Sequence, residues 1–105
     1  MNFPHSRPQD GAMGEAPLVS VLIPAYNHQR YVQRCLDSVL EDPYPAKELV
    51  IIDDGSTDAT AERIAAWVAR HRGELPIDYT SRANRGTAAT LNELAARAHG
   101  EFLRL

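Results

Sequence analysis

Two stretches decide the fold: Leu18-Val19-Ser20-Val21-Leu22-Ile23-Pro24-Ala25-Tyr26-Asn27 and Glu48-Leu49-Val50-Ile51-Ile52-Asp53-Asp54-Gly55-Ser56-Thr57-Asp58. Each carries a near-continuous run of apolar, largely β-branched residues and then breaks into turn formers. Runs without polar alternation suit strands covered on both faces, as in parallel sheets. A first strand is expected over 18–23, ended by Pro24. A second is expected over 48–53, followed by a turn whose Ser56, Thr57 or Asp58 can cap a helix.

Outward from these runs, the period changes from two to that of a helix. Tyr31, Val32, Cys35, Leu36, Val39 and Leu40 mark the buried stripe of a first helix that stops near Asp42-Pro43. Ala61, Ile64, Ala65 and Val68 mark a second, closed by Arg70-His71-Arg72 and by Gly73, where a left-handed cap is wanted. Trp67 reads as helix surface or packing. A weaker third strand spans 77–81, a polar loop 82–86 and a third helix 87–99. The stripe of that helix is Leu91, Leu94, Ala95 and Ala98, and Gly100 is its expected stop. A fourth strand begins at Phe102. The order β-α-β-α-β-α-β predicts an α/β fold, an open, mostly parallel Rossmann-like sheet with right-handed crossovers and helices on both faces.

The chain's 105 residues fit one domain, and 44% hydrophobic with 24% charged residues is an ordinary globular balance. Residues 1–17, broken by Pro4, Pro8, Gly11, Gly14 and Pro17, read as a flexible leader, leaving 18–105 as the folded part. No apolar run reaches the length of a membrane span. A net charge of −3 offers no basic footprint and argues against nucleic acid. Cys35 is the only cysteine, so no internal disulfide forms; its place on the first stripe suits a small core residue, and the expected compartment is cytoplasmic.

In open sheets of this kind ligands bind beyond the carboxyl ends of the strands, at a switch point. The loops leaving the first two strands should meet there in one pocket. Alternation places Asp53 and Asp54 on opposite faces, so they are no acid/base pair, but one can offer a carboxylate to N–H or O–H donors of a ligand. Tyr26 offers a flat ring to a base. Each feature also has a plainer reading: 53–58 as a turn and cap, Tyr26 as packing, and Arg82 and Arg85 as solvated cations rather than anion contacts at the third helix. No glycines follow the first strand as a dinucleotide-binding loop requires, and the only lysine, Lys47, precedes a strand, which rules out a Walker-type phosphate loop. The adjacent aspartates fit a dehalogenase-type phosphotransferase poorly.

Together with Asn84-Arg85-Gly86 and Gly100-Glu101-Phe102, the two opening motifs closely resemble the first half of family 2 glycosyltransferases of GT-A fold, over residues 18–105. The resemblance implies a site for a nucleotide-diphosphate sugar, UDP-, GDP- or dTDP-linked. In it Pro24, Ala25, Tyr26 and Asn27 wall the base, Asp54 bonds the base edge, Asp53 and Gly55 support it, and Arg85 meets the diphosphate. Asn92 matches the family's third helix, whereas Leu91 stands where an arginine is common. It further implies inverting transfer to the hydroxyl of a glycan, lipid or protein acceptor, assisted by manganese or magnesium. The metal's Asp-x-Asp motif is expected just past Leu105, so the chain reads as a truncated, inactive part of a parent enzyme, binding nucleotide no better than about millimolar. An interaction or nucleotide-binding module without catalysis is the alternative. Phe102, Leu103 and Leu105 would leave an apolar open edge prone to self-association.

Overall fold

Alternation along the two buried runs sets two apolar layers, one on each side of a sheet. The computed structural model describes residues 16–104, with side chains as far as Glu101. Its elements are β1 (Val19–Ala25), α1 (Val32–Glu41), β2 (Lys47–Asp54), α2 (Thr60–His71), β3 (Ile77–Arg82), α3 (Thr87–Arg97) and β4 (Phe102–Arg104). The strands form one parallel sheet in the order β3-β2-β1-β4. The leader up to residue 15 and the proposed apolar edge at Phe102, Leu103 and Leu105 lie outside the described residues and side chains. Ala16 and Pro17, read as leader, are held: Ala16 packs on the core and the Pro17 carbonyl accepts from the Tyr44 hydroxyl.

On one face, Val19, Val21, Ile23, Leu49 and Ile51 pack against Val32, Leu36 and Val39 of α1 and Ile64, Trp67 and Val68 of α2. On the other, Leu22, Val50 and Ile52 meet Leu94 of α3, with Leu91 and Ala98 beside them. From β1 the chain steps outward to β2 and β3 with both helices on one side. It then returns over the other side through α3 and lays β4 against β1. The direction reverses at β1, which makes its carboxyl end the switch point.

Several expectations change in detail. β1 runs through Pro24, paired in register with Ile52, to Ala25. Among the described residues β4 pairs with Val19, Ser20 and Val21 of β1. Tyr31 precedes the first helical residue and is 67% exposed rather than part of the stripe. Trp67 is fully buried, and its indole N–H donates to Asp37 at 2.8 Å. Gly73 does not adopt the left-handed backbone expected of it. All eight residues of β2 are buried, the polar ends included.

The lower, amino-terminal rim of the sheet explains why α3 ends at Arg97 and not at 99. Glu48 on β2 accepts from the His99 N–H at 2.6 Å and from the Ser20 hydroxyl at 2.6 Å, with the His99 ring nitrogen 3.1 Å away. Gly100 then donates to the Ser20 hydroxyl at 2.8 Å. A Cβ at Gly100 would stand 2.6 Å from Ser20 Oγ and 2.7 Å from the Leu18 carbonyl, so the glycine serves close packing instead of a helix stop. Among the described residues, no helix is long and apolar enough to cross a membrane.

Candidate functional site

The loops leaving β1 and β2 meet at the switch point and are stitched together. Asn27 adopts a left-handed backbone (φ 51°), which asparagine tolerates. Its side-chain oxygen accepts from the Thr57 N–H at 2.8 Å and the Asp58 N–H at 3.3 Å, while its own N–H donates to Ser56 Oγ at 2.9 Å. Gln29 Oε1 accepts from the Ala59 N–H at 3.0 Å, and the His28 N–H donates to Thr60 Oγ1 at 2.7 Å. The residue capping α2 is Ala59, which has no side-chain oxygen. Residues of the first loop therefore satisfy donors at the start of α2, a task the sequence reading gave to Ser56, Thr57 or Asp58. Asp58 does take part, accepting from the Thr60 N–H at 2.9 Å. Burial works against its charge, but the Thr60 hydroxyl and N–H and the Gln29 N–H hold its carboxyl below the usual range.

Asp53 and Asp54 face opposite sides of the sheet, as alternation requires. Asp53, on the α1 and α2 side, accepts from the Ser56 hydroxyl, from the Ser56 N–H at 3.1 Å and from the Ser81 hydroxyl at 3.4 Å, so it shapes the turn. Gly55 follows with φ 77°, and a Cβ there would stand 2.6 Å from the Asn84 nitrogen. That approach admits only glycine, and it lets the Asn84 amide donate to the Asp54 carbonyl at 3.0 Å.

Asp54, on the α3 side, is only 6% exposed. Its Oδ1 accepts from the Arg82 guanidinium and from the Arg85 N–H at 2.8 Å, and its Oδ2 accepts from the Gly86 N–H at 3.1 Å. The Arg85 N–H, with Arg82 and the Gly86 N–H, outweighs the cost of burial and holds this carboxyl below the usual range. It is therefore ionised at neutral pH. Arg82 also donates from Nε to Glu93 at 2.9 Å and from a terminal nitrogen to Thr90 Oγ1 at 3.0 Å. Glu93 in turn pairs with Arg97 at 2.9 Å.

Above this network lies a cleft of about 320 Å³ lined by Pro24, Ala25, Tyr26, His28, Asp54, Thr87 and Thr90. Its wall is mostly apolar with a few convergent polar groups, the usual make-up of a small-molecule site. Tyr26 is 46% exposed and unpacked enough to receive a flat ligand. Of the residues expected at the site, Pro24, Ala25, Tyr26 and Asp54 line the cleft, while Asn27, Asp53 and Gly55 build the turn behind it. Arg85 contributes its backbone to Asp54, and its side chain is 65% exposed, 3.9 Å from Glu93. His28, Thr87, Thr90 and the bridging role of Arg82 were not anticipated. Among the described residues, no three His, Cys, Asp or Glu side chains are grouped so as to hold a metal ion.

Comparison with known proteins places this arrangement. The hyaluronan synthase of Pasteurella multocida is 38% identical over 96 residues, covering 90% of this chain and 10% of that protein. The poly-beta-1,6-N-acetyl-D-glucosamine synthase of Staphylococcus epidermidis is 41% identical over 85 residues, covering 81% and 20%. The chain thus spans a tenth to a fifth of these relatives. Among solved structures, the mannosyltransferase PcManGT from Pyrobaculum calidifontis, in complex with GDP-Man and Mn2+, matches with a TM-score of 0.77 at 31% identity, over 86% of this chain and 27% of that one. S. aureus TarS 1-349 in complex with UDP matches with a TM-score of 0.69 at 29% identity, over 81% and 25%. The family model for glycosyl transferase family 2 matches residues 20–105, and the chain belongs to that family.

Proposed function

We propose that this chain forms the donor-nucleotide part of a glycosyltransferase that moves a sugar from a nucleotide diphosphate to an acceptor hydroxyl with inversion. The observation that carries the reading is the cleft at the switch point, where an ionised, nearly buried Asp54 stands beside the exposed ring of Tyr26. A carboxylate accepts and does not donate, so it selects a base edge that presents an N–H, while the Tyr26 face takes the ring. Thr87 and Thr90 add hydroxyls along the same wall. The GDP-Man and UDP complexes of the structural relatives support a nucleotide-linked donor, and the named polysaccharide synthases favour a growing glycan as acceptor.

Divalent manganese or magnesium would act in the whole enzyme by neutralising the leaving diphosphate. The described residues do not fit that ion, since Asp53, Asp54 and Asp58 are each committed to local hydrogen bonds, so no step is assigned to it here. A cytoplasmic setting is part of the same reading, on the single cysteine of the sequence, Cys35. Saturation-transfer NMR of the chain with UDP, GDP and dTDP, each with and without Mn2+, tests the reading. Transfer to base and ribose protons is expected, whereas the absence of transfer from all three nucleotides would refute it.

A further inference from the structure

We infer that Arg82 is a positioning residue for the cleft, because its one guanidinium joins Asp54, Thr90 and Glu93 and so sets where the Asp54 carboxylate points. This role rests on the nucleotide reading above. Arg82 lies at the end of β3, outside the residues lining the cleft, yet two of its three side-chain partners line it. A carboxylate has about four acceptor positions. Among the described residues, Oδ1 of Asp54 takes Arg82 and the Arg85 N–H, while Oδ2 takes only the Gly86 N–H. One acceptor position on Oδ2 is thus open on a cleft-lining group, and Arg82 helps fix its direction.

The fork geometry matters as much as the charge. Nε is committed to Glu93, one terminal nitrogen to Asp54 and the Ala83 carbonyl, and the other to Thr90. The Thr90 hydroxyl donates in turn to the Gly86 carbonyl at 2.9 Å, which ties the start of α3 to the same unit. A lysine ammonium can neutralise Asp54 but cannot hold a planar three-way fork. Among the described residues, the charged and titratable groups around Asp54 are Arg82 from β3, Glu93 from α3, the exposed Arg85 from the connecting loop, and Tyr26 and His28, which line the same cleft. Only Arg82 among these forms an ion pair with it.

The test follows the Asp54 side-chain carboxyl carbon by NMR through an acid titration, and the affinity for UDP and GDP across the same pH range, in wild type, R82K and R82Q. In R82Q the carboxyl should titrate at higher pH, and the acid limb of nucleotide binding should move up with it. At neutral pH binding should fall in the order wild type, R82K, R82Q, with about a tenfold loss at the end of the series. A merely structural arginine would lower the melting temperature in both variants and leave the carboxyl titration and the binding limb of the folded protein where they were. That result would overturn the inference. If R82Q does not fold, R82K decides: wild-type affinity in R82K overturns the role, and weaker binding by the folded variant supports it. No nucleotide binding by the wild type would instead overturn the nucleotide reading itself, and this role with it.

Discussion

The two ends of β2 use the same device for different purposes. Glu48 and Asp54 lie on the same face of the strand, both are buried, and each grips one end of the α3 crossover through backbone N–H groups. At the lower end Glu48 accepts from Ser20 and His99, Gly100 completes the ring, and a side chain at Gly100 would strike backbone. At the upper end Asp54 lines a cleft, and the corresponding glycine, Gly86, has no atom within 4 Å of where a Cβ would be. A buried carboxylate closed in by tight backbone packing is architecture. One that lines a cleft beside an exposed aromatic ring is suited to a ligand.

The comparison breaks most visibly at the glycines. Gly100→Ala should cost about 3 kcal/mol, because the added methyl meets backbone atoms that cannot give way. Gly86→Ala should cost less, about 1 to 2 kcal/mol, from its φ of 93° alone. Urea midpoints of the two variants measure the gap, and equal losses would mean the lower end is no tighter than the upper. Next in size, Glu48→Ala should destabilise by about 1 to 3 kcal/mol by stranding Ser20 and the His99 N–H. It should leave UDP affinity unchanged in a titration of the folded protein.

The loops show why only part of this was readable from the amino-acid order. Strand runs and helical stripes report which faces are apolar, and they placed the sheet, the switch point and the opposed directions of Asp53 and Asp54. They carry no information about which polar group answers which across the fold. Glu48 shortens α3 from 51 residues away, and Asn27 and Asp54 find partners about 30 residues distant. The same blindness left Trp67 undecided between helix surface and packing, since its partner Asp37 belongs to another helix. It also put Tyr31 inside, since spacing alone does not say where a helix begins. The network around Asp54 had one visible signal, the arginines just before the third helix, and spacing could not tell a ligand contact from an internal one.

Smaller effects sharpen the contrast. Tyr26→Ala should weaken nucleotide binding about fivefold or more with no change in the urea midpoint, because the ring is half exposed and supplies stacking, not core. A changed midpoint with unchanged affinity would make Tyr26 a packing residue. Acid should separate the ends more gently. Burial raises the Glu48 carboxyl, but the Ser20 hydroxyl and the His99 N–H and ring outweigh it and hold it below the usual range. Its folded-state value lies under its unfolded one, so its stabilisation is present above the ordinary carboxylate range and is lost as pH falls through the folded value. Glu48→Gln should therefore flatten the acid side of a stability-against-pH curve measured by urea, and an unaltered acid side would remove Glu48 from the set of stabilising carboxylates.

The difference between the ends is tested most directly by mapping backbone amide shifts while UDP, and separately GDP, is added to the chain. Shifts are expected at Ala25, Tyr26, His28, Asp54, Thr87 and Thr90, with Ser20, Glu48, His99 and Gly100 unmoved. Shifts centred on the Glu48 end with a silent cleft would contradict the assignment of the cleft-lining carboxylate to ligand binding.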